Sequence, residues 1–399
     1  MRRSAQLGQC GMTLIELMVA LAVGLGVTLA VTTLLIASEN QKRTTTSTND
    51  AEQTGAYVFH ALDGVLRGAG SAIAESAYPT PDAGVLGCKL NAGGILPRTG
   101  AFPAPFGAPF LGGAPSNLRV APLLIAKGQS PDGFSDVLVV MGGSGSAGGV
   151  SRQVTVAGSS TSVTLDNAVG FVQNDLFLVS QNGTNDCLLE QVFVTPVAGS
   201  STLTLSNTLP YYTTGTTTTI STLASSTASF VTPLGNAAAN NLQFELIGTD
   251  ANHTLYSYDL LQNQNLVQTP GSGDQAQAIA DGVYQIHALY GIDTNGDGKQ
   301  DTWADPGAAG YDINTVMLSE PTMRKIVSVR VALVLRGEYY DKNPNTSAPT
   351  LTIFTGLPYG GGNAFQETVT LSAADQHYRF RVFEFTVPLR NMILLAGGP

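Results

Sequence analysis

Positive charge is scarce in this chain. Lys and Arg number 19 against 29 Asp and Glu, a formal net charge of -10, and the basic residues are scattered, as in "RKIVSVR", rather than gathered in a patch. An acidic body of this kind repels phosphate backbones, so no nucleic-acid partner is expected. Charge of either sign is low, at 12% of residues, whereas Gly (45), Pro (20) and Ser/Thr tracts are plentiful. That mixture favours many short strands and turns over helical packing.

Histidine is nearly missing too. His60, His253, His287 and His377 show no metal-like spacing, which makes them structural residues. There is no GxSxG elbow, since "GGSGS" ends on Ser146, and no set of nucleophile, base and orienting group. Enzymatic activity therefore finds no support. Of three cysteines, Cys10 precedes Met12, which leaves Cys88 and Cys187 as an even pair suited to an oxidising compartment. A bridge between them would close a loop of about 100 residues and contribute roughly 4–5 kcal/mol in the chain-entropy model. Two unpaired buried thiols are the alternative, because sequence does not set the Cα separation.

One long apolar run is present. From Met12 to Ala37 the only charge is Glu16, and a helix over this stretch, about 39 Å long, spans a bilayer with tilt. Arg2 and Arg3 ahead of it put the N-terminus on the cytoplasmic side. An ordinary signal peptide has its small cleavage residue after the apolar core; here Gly11 comes before it. A carboxylate inside a membrane helix costs roughly 2.5–3.5 kcal/mol on insertion scales, so Glu16 needs a cation. A cut after Gly11 would supply one, the new α-amine of Met12, in the same subunit or in its neighbour.

These residues carry a resemblance. "GMTLIELMVALAVG", Gly11 to Gly24, resembles the class III signal of type IV pilins and pseudopilins. The resemblance implies a leader at 1–11, cleavage after Gly11 by a membrane aspartyl prepilin peptidase, N-methylation of Met12 and a filament role for Glu16. That family most often has Phe where Met12 stands.

Beyond a membrane-spanning or filament-core segment at 12–37, residues 38–67 continue as an amphipathic half-helix. Val58, Leu62, Val65 and Leu66 form one apolar stripe, and Gly68 and Gly70 supply a stop. Thr44 to Thr48 have poor helix propensity, which predicts a loose middle stretch. Gly24, Gly26 and Gly55 are either close-packing sites or weak points. From 71 to 399 the dominant period is two. "SDVLVVMGG", "SRQVTVAG", "TSVTLDN" and "NDLFLVSQNG" read as antiparallel strands, as do Ile326–Leu335, Asp281–Ile292 and Tyr378–Val387, with Pro388 marking a strand end or an edge. Residues 91–118, rich in Gly and Pro, read as a long surface excursion, and 200–229 as either a solvated hairpin or a loop. The fold expected is α+β: a long N-terminal helix packed on a large, mainly antiparallel β head.

In that head "DGVYQIHALYGIDTNGDGKQD", "RKIVSVRVALVLRGE" and "YRFRVFEFTVPLRNM" resemble PilW-type minor pilins. Together with the helix the likeness covers about a third of the chain, and it does not extend to the Ser/Thr-rich insertions. It implies a place in pilus initiation or at the tip, with adhesion or twitching motility downstream. Expected partners are other minor and major pilins, the prepilin peptidase and the inner-membrane assembly platform. The protein would sit in the inner membrane with a periplasmic head before assembly, and in the extracellular pilus afterwards. A minor pseudopilin of a type II secretion system is the nearest alternative, and a calcium-dependent tip adhesin a more distant one.

Two loops invite a ligand reading. In "DTNGDGKQD" the residues Asp293, Asn295, Asp297, Lys299 (through its carbonyl) and Asp301 fall at positions 1, 3, 5, 7 and 9 of a Ca²⁺ loop, with Gly298 at 6. Position 12 is Ala304 where a bidentate Glu is needed, so a Ca²⁺ site would be weak; a polar turn joining two strands is the other reading. Gly143, Gly145 and Gly148 satisfy GxGxxG, but "GVSRQVTV" after them is a strand, and a pyrophosphate needs a helix N-terminus there. A hairpin loop is the reading retained.

Overall fold

The first turn of the main helix is set by Thr13, the residue just outside it, and the helix then runs Leu14–Gly68, 55 residues without a break. The computed structural model describes residues 13–396 except 75–84, 94, 97–101, 107–117, 145–148, 183, 185, 210, 212–217, 226, 240, 262–275, 343–348 and 361–362. The loose stretch expected at Thr44–Thr48 is helical. The Thr44 and Thr45 hydroxyls turn back onto the carbonyls of Asn40 and Gln41, at 2.8 and 3.0 Å, so they leave the backbone ladder intact instead of competing with it. The helix stops at the expected glycines: Gly70 adopts φ +78° and donates its N–H to the Met141 carbonyl at 2.8 Å.

Residues up to Asp50 form one compact unit and Ala51 onward another. Within the second, the closing turns of the helix bury the expected stripe. Val58, Leu62 and Leu66 are fully covered and Val65 is half-buried. The Phe59 ring meets Phe385 edge-on at 4.8 Å and Phe383 at 6.4 Å. Each buried aliphatic side chain here is worth roughly 1.5–3 kcal/mol.

Three sheets make up the head. The sheet under the helix has the spatial order Asn363–Thr370, Thr350–Tyr359, Thr302–Ala304, Val283–Ile292, Ile326–Arg336, Phe380–Pro388. All its pairings are antiparallel except a single parallel bridge, Trp303 to Tyr359. Pro388 both ends its strand and lies on an edge strand, where a missing N–H costs no ladder bond. The period-two pattern of Ile326–Arg336 predicts one buried face, yet nearly every residue in the strand is buried. The reason is that two cores flank it: Val329, Val331, Leu333 and Leu335 join the main core, while Ala332 and Val334 join Trp303, Ile353 and Phe354 in a second one.

The second sheet, antiparallel throughout, is ordered Gln277–Asp281, Thr254–Asp259, Gln243–Thr249, Val137–Gly142, Leu123–Ala126. The third is ordered Lys89–Asn91, Asp186–Gln191, Asp175–Gln181, Ser229–Asn236, Arg152–Ser159, Ser162–Leu165, Thr202–Thr204. It holds its own small core around Val163, Phe177, Leu188 and Val231. Its one parallel pairing joins Lys89–Asn91 to Asp186–Gln191, and beside it Cys88 and Cys187 form a disulfide with Cα atoms 5.7 Å apart and a sequence separation of 99. The free-thiol alternative is thereby removed.

The stretch 91–118 departs from its reading as a surface excursion. Among its described residues Leu96, Phe102, Phe106 and Leu118 are buried, and Phe102 meets Tyr258 edge-on at 5.9 Å. Its apolar side chains, spaced among Gly and Pro, have no periodicity by which a core segment is ordinarily read. In 200–229 the described residues include the strand Thr202–Thr204 and the short helix Ile220–Leu223, so the segment is neither a simple hairpin nor one loop.

Candidate functional site at the helix N-terminus

Gly11 and Met12 lie outside the described residues, whereas Glu16 lies in the first turn of the helix. Its carboxylate accepts from the Thr13 backbone N–H at 3.5 Å, and its own N–H donates to the Thr13 hydroxyl at 3.3 Å. This is a reciprocal capping box. The first turn of any helix leaves N–H groups without intrahelical partners, and a T-x-x-E sequence satisfies two of them. A carboxylate there also faces the positive end of the helix dipole. The T-x-x-E spacing of Thr13 and Glu16 ahead of an apolar run is the sequence signal for this cap, one that a search for charge partners passes over.

The surroundings are apolar. Leu14, Ile15, Leu17 and Met18 are each at least half exposed, and exposure of large apolar side chains continues to Ile36. An 18-residue window of this helix has mean hydropathy 2.4, and among the described residues it is the one helix long and apolar enough to cross a membrane. The polar groups inside the run are dealt with locally: the hydroxyls of Thr28, Thr32 and Thr33 donate to carbonyls three or four residues back, at 2.8–2.9 Å. Glu16 is thus the one charged side chain on an apolar exposed surface, half-satisfied by its own chain and open to a further cation. Of the three glycines noted in sequence, Gly24 and Gly26 would place an added methyl with no neighbour within 4 Å, while at Gly55 a methyl would lie 2.8 Å from Leu335 Cδ1.

The loop Asp293–Asp301 joins Val283–Ile292 to Thr302–Ala304, which pair as a hairpin. Asp293 accepts from the N–H groups of Asn295, Gly296 and Gly298, at 3.1, 2.6 and 2.7 Å. Asn295 accepts from Asp297 N–H and Asp297 from Lys299 N–H, both at 2.9 Å. Asp301 is engaged by the Thr294 hydroxyl and amide, and that pairing holds its carboxyl below the usual range. Gly298 has φ +78°, the turn the sixth position requires. Among the described residues no group of three or more His, Cys, Asp or Glu is gathered to hold a metal. Of the glycine-rich stretch, Gly145 and Gly148 lie outside the described residues; Gly143 donates to the Ser71 carbonyl at 2.7 Å, and the strand Arg152–Ser159 follows.

The histidines stand apart. His60 is exposed on the helix. His253 lies against the Tyr284 ring and His377 is stacked on Tyr340. His287 is buried beside Gln285, with Nε2 3.1 Å from its Oε1, and burial pushes its pKa down. Sequence reasoning gave no sign of Asp136. It is fully buried, accepts from the N–H groups of Gly128 and Ala288, both at 2.9 Å, and is pushed up to about 8 because burial outweighs those two bonds. It ties the 127–136 turn to the strand Val283–Ile292, a structural task. Nearby, Lys127 bridges Asp305 at 2.7 Å and Glu367 at 3.2 Å.

No curated protein and no solved structure matches the chain. Residues 246–391 match the family model of type IV pilus-assembly protein W, a region that takes in the hairpin loop, the strand Ile326–Arg336 and the edge strand Phe380–Pro388. Over this region the chain is similar to the PilW family of type IV pilus assembly.

Proposed function

We propose that the chain is the precursor of a minor pilin, cut after Gly11 and N-methylated on Met12, whose Glu16 registers it against the amine of a neighbouring subunit. The observation that carries this reading is Glu16 itself: a single carboxylate kept on an exposed apolar helix of a chain whose head matches a pilus-assembly family. A charge in that setting is costly unless a cation meets it, and processing next to Met12 creates one within reach. The Thr13 cap holds the carboxylate at the helix end until that amine arrives. Within a pilus, the protein acts in initiation or at the tip with other minor pilins, and so in adhesion and twitching motility. Its partners are those pilins, the prepilin peptidase and the membrane assembly platform.

Mass spectrometry of the native N-terminus tests the processing, and the expected result is a chain beginning at methylated Met12. A chain that retains residues 1–11 within assembled fibres refutes it. A Glu16→Ala variant is expected to be processed normally but to enter filaments poorly; undiminished incorporation would remove the pairing role.

A further inference from the structure

Lys127 follows the edge strand Leu123–Ala126 of the second sheet, and Asp305 follows Thr302–Ala304 in the first. Their side chains meet across 178 positions of chain, with Nζ 2.7 Å from Asp305 Oδ1. Glu367, on the edge strand Asn363–Thr370, brings its Oε1 to 3.2 Å from the same Nζ. The side chains of Lys127, Asp305 and Glu367 are 29%, 20% and 19% exposed, so most bulk water is kept from the group. Behind Glu367 stands the buried His287, its Nδ1 3.8 Å from that Oε1.

Charge attraction accounts for the approach, but the group holds more than an ion pair needs. Asp305 Oδ1 also accepts from the Gly307 N–H at 2.8 Å. The Lys127 stem lies so close over Gly307 that an added methyl there would stand 2.9 Å from Lys127 Cδ. An amine, a carboxyl carbon, an N–H donor on the carboxyl oxygen and a second carboxylate on the amine are the nucleophile, electrophile, oxyanion donor and proton carrier of an acyl transfer. The pairs of Arg330 with Glu384 and Arg336 with Asp375 are covered to a similar degree, but a guanidinium does not release its proton in a protein and offers no nucleophile.

We propose that Lys127 and Asp305 condense into an amide that cross-links the first two sheets, with Glu367 as the proton carrier. The step needs no co-reactant. Nζ of the ammonium gives up two of its three protons through Glu367, the freed electron pair forms the bond to Cγ, and the Cγ–Oδ2 bond breaks. Oδ2 leaves with those two protons as water. The third proton stays on the amide nitrogen, and Oδ1, held by the Gly307 N–H, becomes the amide carbonyl. Between separate molecules in water this condensation is unfavourable, but two groups held in contact behave as if at an effective concentration of about 10⁵ M or more. Burial lowers the pKa of Lys127, yet the hydrogen bond to Asp305 and the charges of Glu367, Asp305 and Asp136 outweigh it and keep the group protonated. The free amine is therefore a minor form, and the bond forms slowly. It depends on no part of the pilin reading.

Trypsin does not cut at an acylated lysine, so the test is tandem mass spectrometry of a reduced tryptic digest of the full chain, taken at purification and again after prolonged storage. The expected product is a branched peptide joining the Lys127 and Asp305 segments, one water lighter than their sum and uncut at Lys127. Glu367→Gln, which keeps the shape of the side chain, is expected to form it about a hundredfold more slowly. Lys127→Arg, which keeps the positive charge, is expected to give linear peptides alone. Linear peptides alone from the wild type at both times leave an ordinary ion pair and overturn the proposal, and so does a branch that forms as fast in Glu367→Gln as in the wild type.

Discussion

The clamp between helix and head gives a paired test on two glycines nine residues apart on the same helix. Gly64 is exposed with nothing within 4 Å of where a methyl would project, whereas at Gly55 that methyl would stand 2.8 Å from Leu335 Cδ1 and 3.3 Å from Phe383 Cδ2. Replacing a helical Gly by Ala gains about 1 kcal/mol of backbone propensity, and both sites share that gain. At Gly55 it is opposed by overpacking: Leu335 is buried and must shift by several tenths of an ångström, and such insertions cost about 1–3 kcal/mol. Gly64→Ala is therefore expected to stabilise by about 1 kcal/mol. Gly55→Ala is expected to fall below it by roughly 1–3 kcal/mol, and Gly55→Val further. Urea unfolding of the three variants beside wild type, with midpoints and slopes both fitted, measures the difference. If Gly55→Ala stabilises as much as Gly64→Ala, the helix does not approach Leu335 and Phe383 this closely and the packing argument fails.

Three further outcomes are expected. Replacing Cys88 and Cys187 by Ser releases a loop closed across 99 residues and should cost roughly 4–5 kcal/mol of stability in the chain-entropy model, read as the gap between oxidised wild type and the double variant in urea. Because burial raises Asp136 to about 8 in the folded chain, its protonated form favours folding: the contribution is complete below the unfolded carboxyl value of about 4 and is lost as pH rises to about 8. Thermal melts across that window should show the wild type losing stability and Asp136→Asn, which mimics the protonated acid, showing a flatter profile; parallel profiles would contradict this. For the hairpin loop, a Ca²⁺ site with a dissociation constant of about 1 mM would contribute about 1.4 kcal/mol at about 10 mM Ca²⁺. Isothermal titration should then give weak heats that vanish in Asp297→Asn, which keeps the carbonyl that accepts the Lys299 N–H; identical traces for the two proteins remove the metal.

Much of the architecture is legible in the sequence because it rests on local periodicity. The helix stripe at Val58, Leu62 and Leu66, its stop at Gly68 and Gly70, and the existence of strands at 137–142, 152–159 and 175–181 are read from local pattern, although 137–142 and 175–181 are buried along nearly their whole length rather than on alternate residues. The candidate site is legible for a similar reason. A lone carboxylate in an apolar run stands out in one dimension, although its bond to Thr13 is far less conspicuous there.

What the sequence by itself determined, then, is the long helix with a single acid in its apolar first half, the β-rich head and the even cysteine pair, each set by composition or by short spacing. Only the tertiary structure decided that Cys88 meets Cys187, that both faces of Ile326–Arg336 are buried, that Phe102 and Phe106 belong to the core, and that Asp136 is buried against the backbone N–H groups of Gly128 and Ala288. These depend on segments far apart in the chain arriving at the same place. Burial is a property of the neighbours a residue acquires on folding, and no local pattern encodes it.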